Sequence, residues 1–471
     1  DKEELAFSSR ISEKMAGVYD QYNQDQLIDS TLRGARFISI HPAQDSLEFI
    51  ADYAVYSRKQ QTLDAKGVRI LRVADAAIFP VDKQLLIKRR AEITPLQKAT
   101  ILTNTTTRFH QIYNATVNID GKYQYHARGD YDYVDKNKEI QTIYLNDIAV
   151  NKNRITIASG DIKQDDDFKL SPAFKFKGQT NLISTDQYLT FDGGFSVRNQ
   201  CDTMPDQWVK FKSVIRPDSV MLPVDSNATT IHDRATYASI MHAKDRKQIY
   251  SSFFTQDNTH RLRQGNTIFT SHGYLMYDEV SSEYRLASKE RLNNKTARGN
   301  YTAYNTRDCI HTGEGEFNFF EETGQVDLQM LGKAEHYILD DSTQISGTLA
   351  IDFLFDEDAL EYMANSINSY NNLKGVELNS DRFKSAIRNM VKPKIAEELI
   401  KEINLYNKIE KVPDEFKRTM ILTDVSLKWD DYSQSFISTE PVGIAFLGEE
   451  QVTRYVDAYI LFNKGRRGGF R

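Results

Sequence analysis

The chain has 471 residues, too many for one compact core, so it calls for two or three domains or one elongated stack with an inserted module. Apolar residues make up 40% and aromatics 11%, with 25 Tyr and 25 Phe, which suits packed strands and argues against disorder. Lys and Arg number 60 against 66 Asp and Glu, a net charge of -6, and only Lys464-Gly465-Arg466-Arg467 concentrates positive charge, so nucleic acid is disfavoured as a partner.

Residues 1–37 are polar and form a lead-in, with a helix expected over 2–19 on the stripe Leu5, Ile11, Met15 and Val18. Residues 38–225 form a first β-rich region of loosely repeated strand-turn-strand units. The clearest copy runs from 47–56 through a polar turn at 57–60 to 62–70, and looser copies follow at 123–150 and 174–197. Asp120-Gly121, Asp135-Lys136-Asn137-Lys138 and Asp192-Gly193-Gly194 read as turn tips. Each unit has one apolar face and cannot bury it alone, so the units must pack on one another.

Residues 226–355 form a second β-rich region, with further copies at 273–287 and 315–332 and a short helix expected at 232–241 or 250–256. From 356 to 412 the apolar spacing turns helical: Leu360, Met363, Ala364 and Ile367, then Phe383, Ile387 and Met390, then Ile395, Leu399, Ile403 and Tyr406. Ser380 is placed as an N-cap and Pro393 as a first-turn proline. Strands return within 413–471, at 419–429, 433–438, 442–447 and 455–462, so three helices interrupt a β fold. The expected fold is mainly β: elongated stacked antiparallel sheets of jellyroll, solenoid or sandwich type with an inserted small helical module. Asp1 in place of Met and the ending Gly468-Gly469-Phe470-Arg471 read as a processed or excised piece of a longer polypeptide.

No sequence motif for catalysis stands out. There is no glycine-rich phosphate loop, dinucleotide fingerprint, Gly-x-Ser-x-Gly elbow or His-Glu-x-x-His, so no cofactor, metal or catalytic residue is assigned. Glu314 and Glu316 share a strand face and are the best carboxylate pair for glycoside chemistry, but strand-rich chains supply such pairs without function. Asp165-Asp166-Asp167 lacks the spacing of a calcium loop and reads as a solvated turn. Asp352, Asp356, Glu357 and Asp358 fall where a strand meets a helix, where acids favourably oppose the helix dipole. Cys201 and Cys309, the only cysteines, form one disulfide or two free thiols. No apolar run reaches the roughly 20 residues of a membrane helix.

The candidate ligand-binding residues are aromatics at period 2: Tyr123, Tyr125, Tyr131 and Tyr133, with Phe174 and Phe176. Exposed, such a stripe stacks on sugars or receives acyl chains; buried, it is core.

Ala51-Asp52-Tyr53-Ala54-Val55-Tyr56, Leu63-Asp64-Ala65-Lys66-Gly67-Val68-Arg69-Ile70, Val73-Ala74-Asp75-Ala76-Ala77-Ile78 and Ala158-Ser159-Gly160-Asp161-Ile162 carry a resemblance to the β-jellyroll repeats of the OstA-like lipopolysaccharide-transport family. It covers residues 47–200, about a third of the chain. It implies a periplasmic or outer-membrane-associated protein with a lipid-holding groove between sheets. The helices at 356–406 and the bulky Tyr-rich strands depart from that family. The stretch from 313 onward also resembles part of the large cell-envelope proteins of Bacteroidetes-type bacteria. The expectation is a non-catalytic bacterial cell-envelope β protein that binds or conveys a lipid-like amphipathic ligand or bridges other envelope proteins or segments of a longer chain. The alternatives are a surface glycan-binding or adhesive module and, further off, a glycan-processing enzyme.

Overall fold

The structure is a computed structural model, and it describes residues 4–8, 10–198, 201, 207–243, 248–255, 266–318, 320, 324–463 and 470. The basic stretch at 464–467 lies outside the described residues. Half of the chain is strand and 15% helix, in large curled antiparallel sheets with a few short helices, so the fold is mainly β. The chain divides into two compact units, 1–195 with 211–220 and 196–210 with 221–471.

The main sheet of the first unit is a meander in which nearly every strand lies beside its neighbour in sequence. It runs from Leu71–Val73 and Ala76–Phe79 through Leu96–Thr103, His110–Gly121, Gln124–Val134, Ile140–Val150, Thr156–Ile162 and Phe174–Ile183 to Thr190–Val197 and Val209–Val214. Alternation builds it. In His110–Gly121 the side chains of Ile112, Ala115, Val117 and Ile119 are buried, and Asn114, at φ 51°, makes the bulge that shifts the buried parity from Ile112 to Ala115. The hairpins expected at 123–150, 174–197 and 273–287 form, with the Asp135 carboxylate accepting from the Asn137 and Glu139 amides in its turn.

Three expectations in this unit are corrected. Residues 4–8 are not helical: Glu4–Ser8 is a strand on Tyr53–Ser57, and helix α1 begins only at Arg10 and runs to Tyr19. Val18 of the expected stripe is exposed while Tyr19 is buried, and Ile11 lies outside the described side chains. The run 47–56 is two strands, Glu48–Ala51 on Ala35–Ile38 and Tyr53–Ser57 on Thr62–Lys66. It breaks at Asp52, whose carboxylate takes both forks of Arg69 at 2.9 and 2.8 Å. Arg69 also donates to Asp20 at 2.9 Å and to the Ala16 carbonyl at 3.1 Å, so one buried guanidinium pins α1 to the strands. A short helix α2 follows at Gln24–Asp29, with Asn23 and Gln26 forming a capping box. Asp192-Gly193-Gly194 is no turn but the middle of Thr190–Val197. There Gly193 lies so close to Gly178 that a Cβ on Gly193 would sit 2.3 Å from the Lys177 carbonyl.

The second unit has a large antiparallel sheet in the order Leu222–Val224, Gly273–Asp278, Glu283–Ala287, Tyr301–Asn305, Ile310–Phe317, Val326–Tyr337, Ser342–Phe353, Met420–Asp430, Ser435–Ser438 and Leu461–Asn463. Pro223 sits on the edge strand, where a missing N–H breaks no ladder. Val442–Leu447 pairs with the first half of Met420–Asp430 and carries Glu450–Val456. The segment expected as one strand at 455–462 is therefore split between Glu450–Val456 and Leu461–Asn463. The helices expected within 226–262 are also corrected: Ala238–His242 and Ile249–Phe253 are strands of a three-stranded sheet with Asn266–Thr270. Every side chain of Ala238–His242 is buried, so the strand shows no alternation and its short apolar run is ambiguous by period.

Helix α3 is Lys289–Asn293, and α4 (Glu357–Ser369), α5 (Asp381–Met390) and α6 (Pro393–Tyr406) lie between Ser342–Phe353 and Met420–Asp430, two strands paired with each other. The helices are thus an insertion between sheet neighbours. Asp356 caps α4, Ser380 caps α5, and Pro393 opens α6. The sheet is buried on both faces here. Leu349, Leu422 and Ile444 join a core with the three-stranded sheet residues Ile240, Ile249 and Phe269, and with Leu360 and Ala364 of α4. Their chain neighbours Ala350, Ile421 and Ala445 pack instead with Phe383 and Ile387 of α5 and Leu399 and Ile403 of α6. That accounts for the unbroken burial of Val442–Leu447.

Candidate functional site

The candidate site is a cleft of about 1340 Å³ in the second unit. Strand register builds it. Val326 pairs with Phe353, Ile351 with Met420, Met420 with Leu447, and Leu447 with Glu450, so five strands end or turn together at one end of the sheet. Helix α4 forms a wall. The Asp356 carboxylate accepts from the Ala359 amide at 2.9 Å, and Leu360 packs near the tight turn at Gly448, whose φ of +58° favours glycine.

Apolar and acidic side chains alternate around the lining. Phe317, Phe320, Leu328, Phe353, Leu360 and Leu447 line it, while Leu354 is fully exposed and Phe355 is 44% exposed. Eight lining residues are Asp or Glu and two are cations, Lys417 and Arg418, a net of -6 in the wall alone. Both cations are engaged. Arg418 pairs with Asp327 at 2.9 Å and Asp352 at 3.5 Å, and Lys417 pairs with Glu449 at 3.0 Å and Asp414 at 3.2 Å. The hydrogen bonds to Glu449 and then Asp414 raise the Lys417 pKa, so the ammonium stays charged. The Thr419 hydroxyl ties the Phe353 carbonyl (2.7 Å) to Asp352 (3.1 Å), fixing the end of that strand. The arrangement can hold an apolar group and favours positive charge beside it. The acids at 352 and 356–358 are explained in part by capping, as the sequence reading holds. The exposed Leu354 and Phe355 between them have no part in that reading; their signal is the apolar triplet Phe353-Leu354-Phe355 inside an acidic run at a strand-helix junction.

The expected aromatic site is corrected. Tyr125, Tyr133, Phe174 and Phe176 are each at most 3% exposed and present no face to a ligand. Phe176 packs against Phe168, Phe191 and Phe211, and Phe174 packs edge-on to Phe195. The hydroxyls of Tyr125, Tyr131 and Tyr133 each have a partner. Tyr125 meets the Thr156 hydroxyl at 2.8 Å, which in turn donates to Asp75 at 2.6 Å, and Tyr133 donates to the Leu170 carbonyl at 2.8 Å. Tyr131 lies 3.2 Å from His110 Nδ1, and burial pushes its pKa up to about 12. Tyr131 is half-buried, as is Tyr123 at the hairpin turn, which has Arg154 3.8 Å above its ring centre. Interior filling, satisfied at its polar tips, explains the stripe.

Glu314 and Glu316 do share an outward face, yet Glu314 pairs with Arg291 at 3.1 Å and Glu316 accepts from the Gln329 amide at 2.9 Å. Gly313 makes room for the Phe269 ring, which a Cβ would meet at 2.4 Å. Asp167 in the expected acidic turn pairs with Lys175 at 2.7 Å. Among the described residues no three His, Cys, Asp or Glu side chains gather to hold a metal ion. Ser251 Oγ lies 2.6 Å from His311 Nδ1, a nucleophile-base spacing, but both are buried, and desolvation pushes His311 down to about 3. Its Nε2 meets the Thr302 hydroxyl at 2.8 Å, so the group is a satisfied core histidine. Cys201 and Cys309 are joined by a disulfide, with Cα atoms 5.4 Å apart. No helix among the described residues is long and apolar enough to cross a membrane.

Comparison of the chain with protein-family models, with curated proteins and with solved structures gives no match.

Proposed function

We propose that this chain is a non-catalytic β protein of the bacterial cell envelope that binds an amphipathic ligand, and that its site is the cleft of the second unit. The observation that carries the reading is the pairing of exposed Leu354 and Phe355 with carboxylates around one large cleft. Exposed contiguous apolar surface rimmed by polar groups is characteristic of binding sites, and its volume exceeds the roughly 300–1,000 Å³ of pockets for drug-sized ligands. The filled aromatic interior of the first unit shifts the site away from the groove that the OstA-like resemblance implies at 47–200. The Cys201–Cys309 disulfide supports an oxidising compartment such as the envelope.

The test uses the whole chain and an environment-sensitive single-chain fluorescent amphiphile. Saturable binding is expected, weakened about tenfold or more in Leu354→Ser/Phe355→Ser, which removes two apolar anchors without opening the core. Binding equal in that variant, or none in either protein, overturns the reading.

A further inference from the structure

The charge of the cleft specifies its occupant further than its apolar character does. Both lining cations are already paired, which leaves five lining acids with no cationic partner among the described residues: Glu316, which accepts from the Gln329 side-chain amide, and the four at Glu357, Asp358, Glu361 and Glu450. Glu357 and Asp358 oppose the dipole of α4 in its first turn, but Glu361 lies a turn further along and Glu450 comes from a different element, so helix capping does not account for all four. An anionic amphiphile would meet a wall of net charge -6. A single cationic headgroup would answer one carboxylate and leave the rest. Several positive charges, spaced along one molecule and interleaved with apolar groups, match both α4 and the 448–450 turn.

We infer that the occupant is a basic amphipathic peptide segment of a partner protein, its apolar side chains on Leu354 and Phe355 and its Lys or Arg side chains against Glu357, Asp358, Glu361 and Glu450. This rests on the cleft being the binding site proposed above.

The whole chain is titrated, by fluorescence anisotropy, with four labelled probes: a short capped peptide alternating Lys with Leu and Phe, its Glu counterpart, its Lys/Ser counterpart, and a neutral maltoside amphiphile. The Lys/Leu/Phe peptide is expected to bind best, and to weaken about tenfold both in Glu357→Gln/Glu361→Gln/Glu450→Gln and on raising salt from about 50 to about 500 mM. It also weakens in Leu354→Ser/Phe355→Ser. These are surface positions, so thermal melts that match the parent's show that fold loss is not the cause. Equal binding of the Glu peptide or the maltoside overturns the inference and leaves the amphipathic-ligand reading standing. Equal binding of the Lys/Ser peptide, indifferent to Leu354→Ser/Phe355→Ser, reduces the effect to nonspecific charge attraction and overturns the inference too. Binding of none of the four probes overturns both.

Discussion

Several buried polar side chains of this protein act as structural fasteners. Arg69 is the clearest, a guanidinium shared by Asp52, Asp20 and the end of α1. His311 and His336 are another kind, cross-strand partners held neutral by burial and hydrogen-bonded to Ser251, Thr302 and Thr343 hydroxyls. Desolvation pushes His336 down to about 4 from an ordinary value of 6.5. The unfolded chain takes up that proton below 6.5 and the folded chain does not. The stability is therefore complete above pH 6.5 and is lost as the pH falls toward 4. His336→Gln keeps a partner for Thr343 and has no proton to bind. Its urea-unfolding free energy should fall less steeply than the parent's between pH 6.5 and 4, by up to about 1.4 kcal/mol per pH unit. Parallel pH profiles for the two proteins would refute this. None of these pairings was legible in sequence, because residues such as His311, Ser251 and Thr302 meet only across strands and sheets.

Strands and helices were legible wherever the period was clean. Hairpins at 123–150 and 273–287, the Ser380 cap and the Pro393 start follow from alternation and local capping chemistry, which act within a few residues. The errors fall where one signal serves two geometries. Asp192-Gly193-Gly194 has turn composition, yet Gly193 is there because the backbone of Phe174–Ile183 passes too close for a side chain. Gly193→Val should therefore destabilise the first unit by about 3 kcal/mol or more, through overpacking against backbone that cannot yield. A thermal midpoint within error of the parent's would show that the contact relaxes freely. Ala238–His242 fails as a helix for the complementary reason: burial on all sides erased the alternation that marks a strand.

At the scale of the molecule, the two units are each organised around curled antiparallel sheet, and the second is closed by a disulfide linking positions 108 apart. Cys201→Ser/Cys309→Ser should lose about 2–4 kcal/mol of stability, chiefly through the freer unfolded chain. Reductant should lower the melting temperature of the parent and leave the variant unchanged; a parent indifferent to reductant would sink the prediction. The candidate cleft belongs to this scale as well. Its acids at 352–358 were visible as a run, but Lys417, Arg418 and the 448–450 turn reach it only through strand register. The sequence by itself determined the β class, the site of the helical insertion and the hairpins, because periodicity and capping are local. Only the tertiary structure decided that Tyr125, Tyr133, Phe174 and Phe176 of the aromatic stripe are core, that the two cysteines bond, and that apolar and acidic residues scattered from 316 to 450 line one cleft. Burial and long-range proximity depend on which strands pair, and alternation along one strand carries no information about its partner.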